Sequence, residues 1–116
     1  MAIVQITPQN IVNTGLIPAY TAVSAAGDDF YMKNNEKTFL EVINAGAVSL
    51  TVTFTAVGAC EQGSLHDLVV TLAAGVTRKI GMFERFRFNQ NSGTYIGSVK
   101  INFSVSASVT YGAFTN

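Results

Sequence analysis

The chain has 116 residues, of which 48% are hydrophobic and 12% are charged, and its seven basic and seven acidic side chains cancel. This length supports one domain with one core, the hydrophobic share excludes a disordered chain, and the zero net charge excludes the basic surface of a nucleic-acid-binding protein. The charged share is about half of the roughly 25% usual in globular proteins. Its surface must therefore be built from small neutral side chains, which suits a protein packed against others.

No targeting or membrane segment is predicted. Residues 1–4 lack the basic start and apolar run of a signal peptide, and no stretch approaches the ~18 apolar residues of a membrane span. The single cysteine, Cys60, cannot form an intramolecular disulfide. We therefore expect a protein that is made in a reducing cytoplasm and contacts no membrane.

The first eighteen residues predict a short edge strand followed by an arm, ahead of a β-domain over residues 19–116. Residues 2–6 alternate weakly, and Pro8 ends this strand because proline cannot donate to a ladder. Residues 9–18 have a loop composition but carry four aliphatic side chains, whose exposure costs ~1.5–3 kcal/mol each relative to burial. We expect the arm to lie on its own domain or on a neighbouring subunit. The four side chains are Ile11, Val12, Leu16 and Ile17.

The central stretch, residues 37–57, predicts a hairpin of two strands joined by a tight Asn-Ala-Gly turn. In the second strand, apolar residues alternate with threonines, so one face is buried and the other carries hydroxyl groups. The inward residues are Leu50, Val52 and Phe54. Before this stretch, residues 19–23 predict a short strand, and residues 33–36 predict a polar turn, where Asn34 or Asn35 would tolerate a left-handed backbone.

Further alternating segments follow a long loop at residues 58–67. They predict strands at residues 68–72, 76–81, 95–105 and 109–116, with a turn at Ala73-Ala74-Gly75. No segment has helical spacing over 11 residues. Eight or so short strands predict an all-β protein, an antiparallel β-sandwich. The pattern does not distinguish a jelly-roll-like topology, which we favour, from an immunoglobulin-like one.

The sequence contains no recognisable catalytic or cofactor site. His66 is the only histidine, and its spacing of six from Cys60 matches no known nucleophile-base signature. The cluster of Cys60, Glu61, His66 and Asp67 lacks the paired ligands of a zinc site. We expect no enzyme activity, no metal and no cofactor.

One segment, Phe83–Phe88, interleaves aromatic and basic side chains. Such a pattern can stack nucleic-acid bases, but the neutral net charge argues against that use. The alternative is a strand with Phe86 and Phe88 inward and with Arg85 and Arg87 outward. Because arginine and aromatic residues are enriched at protein interfaces, we favour contact with protein.

Two stretches, at residues 27–46 and 63–89, have distinctive sequences: GDDFYMKNNEKTFLEVINAG and GSLHDLVVTLAAGVTRKIGMFERFRFN. They resemble a family of small proteins encoded among the structural genes of tailed bacteriophages, and the resemblance spans roughly residues 19–112. The chain departs from the family pattern at Met32, at Glu36 and at residues 82–85. The residues that match the family's middle and last motifs are Cys60, Gly63, Leu65, His66, Asp67, Leu68, Phe83, Arg87, Phe88 and Asn89.

This resemblance implies a virion component with no active residues. It points to a capsid decoration or cement protein that lies on the outer head surface and bridges capsomers, with the major capsid protein and further copies of itself, as a homodimer or homotrimer, as partners. We expect protein contacts at the arm and the arginine-aromatic segment. The candidate residues are Ile3, Ile11, Val12, Leu16, Ile17, Arg85 and Arg87.

Two alternatives remain open. One is a tail, head-fibre or baseplate subunit with the same fold. The other is a carbohydrate- or receptor-binding module, which needs exposed aromatic rings. The candidates for such rings are Tyr20, Tyr31, Tyr95 and Tyr111.

Overall fold

Two β-sheets pack face to face in the computed structural model, which describes residues 2–58 and 65–116. The first sheet has the strand order β1-β4-β9-β6-β7, and the second has the order β2-β10-β5-β8, with β3 also pairing with β10. The elements of the described chain are β1 (Ile3–Ile6), β2 (Gln9–Asn10), β3 (Thr21–Ala22), β4 (Asp29–Lys33), β5 (Thr38–Asn44), β6 (Leu50–Phe54), β7 (Leu68–Leu72), β8 (Thr77–Gly81), the single helical turn α1 (Arg85–Phe88), β9 (Ser98–Phe103) and β10 (Val109–Thr115).

Strict alternation of apolar and polar residues places the core between the sheets. In β6 the residues Leu50, Val52 and Phe54 are fully buried, as predicted, while the threonines between them are partly exposed. Burying each of these apolar side chains stabilises the fold by ~1.5–3 kcal/mol. In β9 the buried residues are Val99, Ile101 and Phe103.

The central strands pair in a nested order that confirms the all-β sandwich. The chain runs outward through β4, β5 and β6 and then returns, so that β6 pairs with β7, β5 with β8, and β4 with β9, all antiparallel. Successive pairs alternate between the two sheets. This nesting is the winding of a jelly roll. The pairs β1–β4 and β2–β10 are parallel, so both sheets are mixed and not purely antiparallel.

The predicted central hairpin is wrong in one respect, because its two strands do not pair. Strand β5 lies in the second sheet and β6 lies in the first, so the Asn-Ala-Gly segment carries the chain across the sandwich. The turn at Gly75 makes the second such crossing, from β7 to β8. Each strand finds its partners elsewhere in the sequence, and local alternation carries no information about that choice.

The buried side chain of Asn44 connects both crossings. Its Nδ2 atom donates to the carbonyl oxygens of Val48 (2.9 Å), Leu72 (3.1 Å) and Ala73 (3.2 Å). Its Oδ1 atom accepts from the Gly46 amide at 3.2 Å. Carbonyl groups that would be left unpaired inside the sandwich are satisfied in this way.

The segment after β8 forms a bend and a helical turn, which corrects the predicted strand through Phe88. Phe83 and Phe88 are buried, whereas Phe86, expected to point inward, is 73% exposed. The Phe83 ring lies 4.8 Å from the ring of Phe54 and 5.5 Å from that of Phe88. Two residues five positions apart in a strand would point to opposite faces of the sheet. The bend and the helical turn between Phe83 and Phe88 instead direct both rings inward.

The N-terminal strand β1 is part of the sandwich. Ile6 is buried in the core, and Asp28 holds the start of the strand by accepting hydrogen bonds from the Ala2 amide (2.9 Å) and the Ser24 hydroxyl (2.8 Å). These bonds, that of Ala2 first, lower the pKa of the Asp28 carboxyl below its ordinary value. The charged form of Asp28 therefore stabilises the docked strand.

In the predicted turn before β5, the left-handed backbone falls on Glu36 (φ 68°) and not on either asparagine. The asparagines act through their side chains. Asn34 Oδ1 accepts from the Glu36 amide at 3.0 Å, and Asn35 Oδ1 accepts from the Lys37 amide at 2.9 Å. In each case the asparagine side chain accepts a hydrogen bond from the amide two residues later. Such a bond stabilises a turn without a left-handed backbone at the asparagine.

Strand β9 begins at Ser98, three residues later than predicted. Tyr95 precedes it in a turn, and its ring stacks on Tyr31 with centroids 4.1 Å apart. The remaining predicted segments lie close to their expected places, with β3 inside residues 19–23, β7 at residues 68–72 and β8 inside residues 76–81.

Candidate protein-contact surface

Residues 11–18 form a loop, here called the arm loop, that is held closed at its base. Strands β2 and β3 on either side of it pair with the same edge of β10. The Gln9 side chain donates from Nε2 to the Ala19 carbonyl and accepts at Oε1 from the Ala19 amide, both at 2.9 Å. The Ile11 amide donates to the Thr115 carbonyl at 2.8 Å. Gln9 was not foreseen as part of this surface, because an isolated glutamine after a proline has no distinctive signal.

The arm loop presents aliphatic side chains to solvent. Ile17 is 91% exposed, Ile11 and Val12 are about half exposed at 47% and 50%, and Leu16 is partly buried. The loop contains no charged residue. Its own domain therefore leaves most of this apolar area uncovered. Exposed aliphatic side chains grouped in an uncharged loop are typical of interaction sites.

Ile3 lies outside the arm loop, in the first strand of the chain. It is exposed on β1, the outer strand of the first sheet. Only Thr7 and Pro8 separate β1 from β2, so the edges of the two sheets lie together here. The structure thus places four of the seven predicted contact residues, Ile11, Val12, Leu16 and Ile17, on the arm loop, and it places Ile3 on the β1 edge.

The two predicted arginines lie elsewhere and contact their own chain. Arg85 Nε lies 3.4 Å from Glu36 Oε1 in a solvent-exposed ion pair, which adds little stability. Arg87 donates from Nη2 to the His66 carbonyl at 2.8 Å, and its guanidinium carbon lies 4.7 Å from the centre of the Phe88 ring. Arg87 therefore holds the helical turn against the loop before β7.

Arg87 also lines an open cleft between β7 and β8, at the opposite side of the sandwich from the arm loop. The cleft has a volume of about 640 Å³. Its floor is apolar, with Leu68, Val70, Ile80 and Phe83, while Arg78 and Lys79 lie at its β8 edge. This arrangement separates the predicted contact residues into two surfaces.

The groups considered for catalysis or metal binding do not form a site in the described residues. Asp67 Oδ1 accepts a hydrogen bond from the Ala56 amide at 2.9 Å, so this carboxylate fixes the chain after β6. His66 is exposed. Cys60, Glu61 and Gly63 lie outside the described residues. Within residues 2–58 and 65–116, no three His, Cys, Asp or Glu side chains lie close enough together to hold a metal ion.

The four tyrosines differ in what they offer a ligand. Tyr111 is buried, and burial raises the pKa of its phenol. Tyr20 donates from its hydroxyl to Glu41 Oε1 at 2.7 Å, and this hydrogen bond is the main cause of the raised pKa of Tyr20. Tyr31 and Tyr95 cover one face of each other. Tyr95 also lines an open cleft of about 400 Å³, together with Pro8, Lys33 and Ile96.

No helix in the described part of the chain is long and apolar enough to cross a membrane. Comparison with known proteins found no family model, no curated protein and no solved structure that matches the chain.

Proposed function

We propose that the chain is a bacteriophage capsid decoration, or cement, protein that binds the outer head surface and bridges neighbouring capsomers. The observation that carries this proposal is the arm loop, an uncharged aliphatic surface fixed at its base by the Gln9–Ala19 hydrogen bonds. The resemblance to small phage structural proteins supports the same role. In this proposal the major capsid protein is the partner, and the mature location is the capsid surface.

The energetics of the arm loop suit a protein that acts in many copies. The exposed parts of Ile11, Val12 and Ile17 amount to about two aliphatic side chains, and burying them supplies ~3–6 kcal/mol, whereas association costs ~4–15 kcal/mol in lost freedom and ordering. One loop therefore gives weak binding by itself. On a shell, copies that are held by more than one contact bind through their high effective concentration. A rigid sandwich then transmits force between the capsomers that it bridges.

The test compares two single substitutions of exposed aliphatic residues. Ile17→Asp places a charge on the arm loop, and Val48→Asp places the same charge on the exposed turn between β5 and β6. Neither residue contributes to the core, so both variants keep the melting temperature of the wild type. The binding partner in this test is the capsid of the phage that encodes the chain, prepared so that it lacks this protein. Compared with the wild type, Ile17→Asp should bind these capsids about tenfold or more weakly, and Val48→Asp should bind with unchanged affinity.

Removing the whole arm is a poorer test. Residues 3–6 form a strand of the first sheet and Ile6 is buried, so truncation also removes core contacts. The proposal fails if purified virions contain no copies of the chain, or if Ile17→Asp binds as tightly as the wild type. Electron cryomicroscopy of labelled particles distinguishes a head location from the alternative of a tail or fibre subunit.

A further inference from the structure

Strand β7 is an edge strand that the described part of the chain leaves uncovered. It ends the first sheet, and no described residue pairs with its outer side. Its sequence, Leu-Val-Val-Thr-Leu, has no charge, glycine or proline. Edge strands in natural proteins normally carry such residues, which prevent pairing with another chain. The neighbouring edge strand, β8, is guarded in this way by Arg78 and Lys79.

The hydrogen bonds of β6 show which backbone groups of β7 point outward. The Thr51 amide donates to Ser104 Oγ at 2.8 Å, and the Thr51 carbonyl accepts from the Ser104 amide at 3.0 Å, so both face away from β7. In an antiparallel ladder the residue opposite such a residue also turns its N–H and C=O away. Thr71 lies opposite Thr51. The N–H and C=O groups of Thr71 and, two residues before it, Val69 therefore point out of the sheet.

We propose that β7 pairs in antiparallel fashion with β7 of a second copy of this chain, about a two-fold axis through Val70. Val69 of each copy then lies opposite Thr71 of the other. Both residues have outward backbone groups, so they form the four hydrogen bonds of two closely spaced pairs. The two five-stranded sheets become one continuous ten-stranded sheet.

Charge favours a second copy as the occupant of this edge. A neutral strand meets itself without placing like charges opposite each other, which is destabilising in a sheet. The same pairing through β8 would bring Arg78 and Lys79 of two copies together. The side chains also fit, since Val69 is 56% exposed and would face the β-branched Thr71 of the second copy. On the inner face, Leu68 and Val70 border the open cleft and would be covered.

The cations of β8 set how this association responds to salt. They lie in the second sheet, about 10 Å from β7, which is close to the Debye length of about 10 Å at 0.1 M ionic strength. The β8 strands of the two copies come near each other across the axis and repel weakly. Added salt screens this repulsion, so the dimer should tighten as ionic strength rises.

The test uses the same substitution on the two adjacent edges. Thr71→Pro removes an outward N–H from β7, and Thr77→Pro removes one from β8, where Thr77 lies opposite Ile43 of β5. Proline is tolerated at such edge positions because the lost N–H is not used within the sheet. Light scattering of the wild type and of Thr77→Pro should show a mass that rises with concentration from 12.3 kDa toward twice that value. Thr71→Pro should stay at the monomer mass.

A side-chain variant covers the case in which Thr71→Pro fails to fold. Val69→Lys changes only an exposed side chain and should also abolish the rise in mass, with Val48→Lys as its matched control. Mixed samples of Val69→Cys and Thr71→Cys, both with Cys60→Ser, should form a disulfide-linked pair that neither variant forms alone. The inference is overturned if the wild type stays monomeric at every concentration, if the mass tends to three copies, or if Thr77→Pro and not Thr71→Pro abolishes association. None of these readouts involves a capsid, so they are separate from the test of the proposed function.

Discussion

Replacing Asn44 should destabilise the sandwich more than replacing any exposed asparagine, because this one side chain holds both crossings between the sheets. Asn44→Ala removes the donor for the Val48, Leu72 and Ala73 carbonyls and the acceptor for the Gly46 amide. The residue is only 1% exposed, so water cannot replace these bonds. The two N–H hydrogens of Nδ2 are shared among the three carbonyls, and Oδ1 accepts one more bond. The substitution therefore removes the equivalent of about three hydrogen bonds.

At ~1 kcal/mol net for each bond, Asn44→Ala should lower the free energy of unfolding by about 3 kcal/mol. That is a large part of the ~5–15 kcal/mol that stabilises a typical domain. At roughly 4 °C per kcal/mol for a chain of this size, the melting temperature should fall by about 10–15 °C. Equilibrium unfolding in guanidinium chloride measures this directly as a lower midpoint with an unchanged slope.

Two further variants make the result specific. Asn44→Asp keeps the shape of the side chain but replaces both donors by an oxygen that faces three carbonyl oxygens, so it should be more destabilising than alanine. Asn13→Ala, on the exposed arm loop, should change stability by less than about 0.5 kcal/mol. A loss below about 1 kcal/mol for Asn44→Ala, or an aspartate variant as stable as the alanine variant, would refute the role given to this side chain.

Three other predictions test the packing at separate places. Phe83→Ala should cost ~3–5 kcal/mol in denaturant unfolding because the ring is fully buried, whereas Phe86→Ala, three residues later and exposed, should cost less than ~0.5 kcal/mol; equal losses would contradict the assigned orientation. Because hydrogen bonds, that from Ala2 first, lower the pKa of Asp28, its stabilisation of β1 is complete above about pH 4 and is lost as the pH falls through the lowered value. Hydrogen exchange should show β1 opening in acid in the wild type and at all pH values in Asp28→Ala, and β1 amides equally protected in both proteins would count against it. Gly81→Ala should be strongly destabilising, since the added Cβ would lie 2.8 Å from the Phe39 Cβ; a normal melting temperature would show that the strands can separate there.

In the two proposals above, the arm loop and the β7 edge are separate contact surfaces of one protein in an assembly. They lie on opposite sides of the sandwich, so a copy that uses both contacts has two partners at once. A two-fold pair joined through β7 would present two arm loops facing away from the axis. Such a pair has the geometry of a clamp between two binding surfaces, and its two weak loop contacts reinforce each other.

Within the regular strands, the alternation of residue types predicted which side chains enter the core. Leu50, Val52 and Phe54 are inward for a purely local reason, since a strand directs every second side chain to the same face. The same rule located β7 and most of β9. The exposed aliphatic residues of the arm could be identified as unusual from composition alone.

The tertiary structure alone decided which strands share a sheet. An Asn-Ala-Gly turn is compatible with a hairpin or with a crossing, and the choice depends on contacts such as that of Asn44 with the Leu72 carbonyl, 28 residues away in sequence. In the segment from Phe83 to Phe88, a bend and a helical turn bring two rings into the same core. Neither the two-residue period of a strand nor the period of a longer helix describes this arrangement. Whether Ile17 was covered could be learned only from the folded chain, because burial depends on what the rest of the molecule places beside a residue.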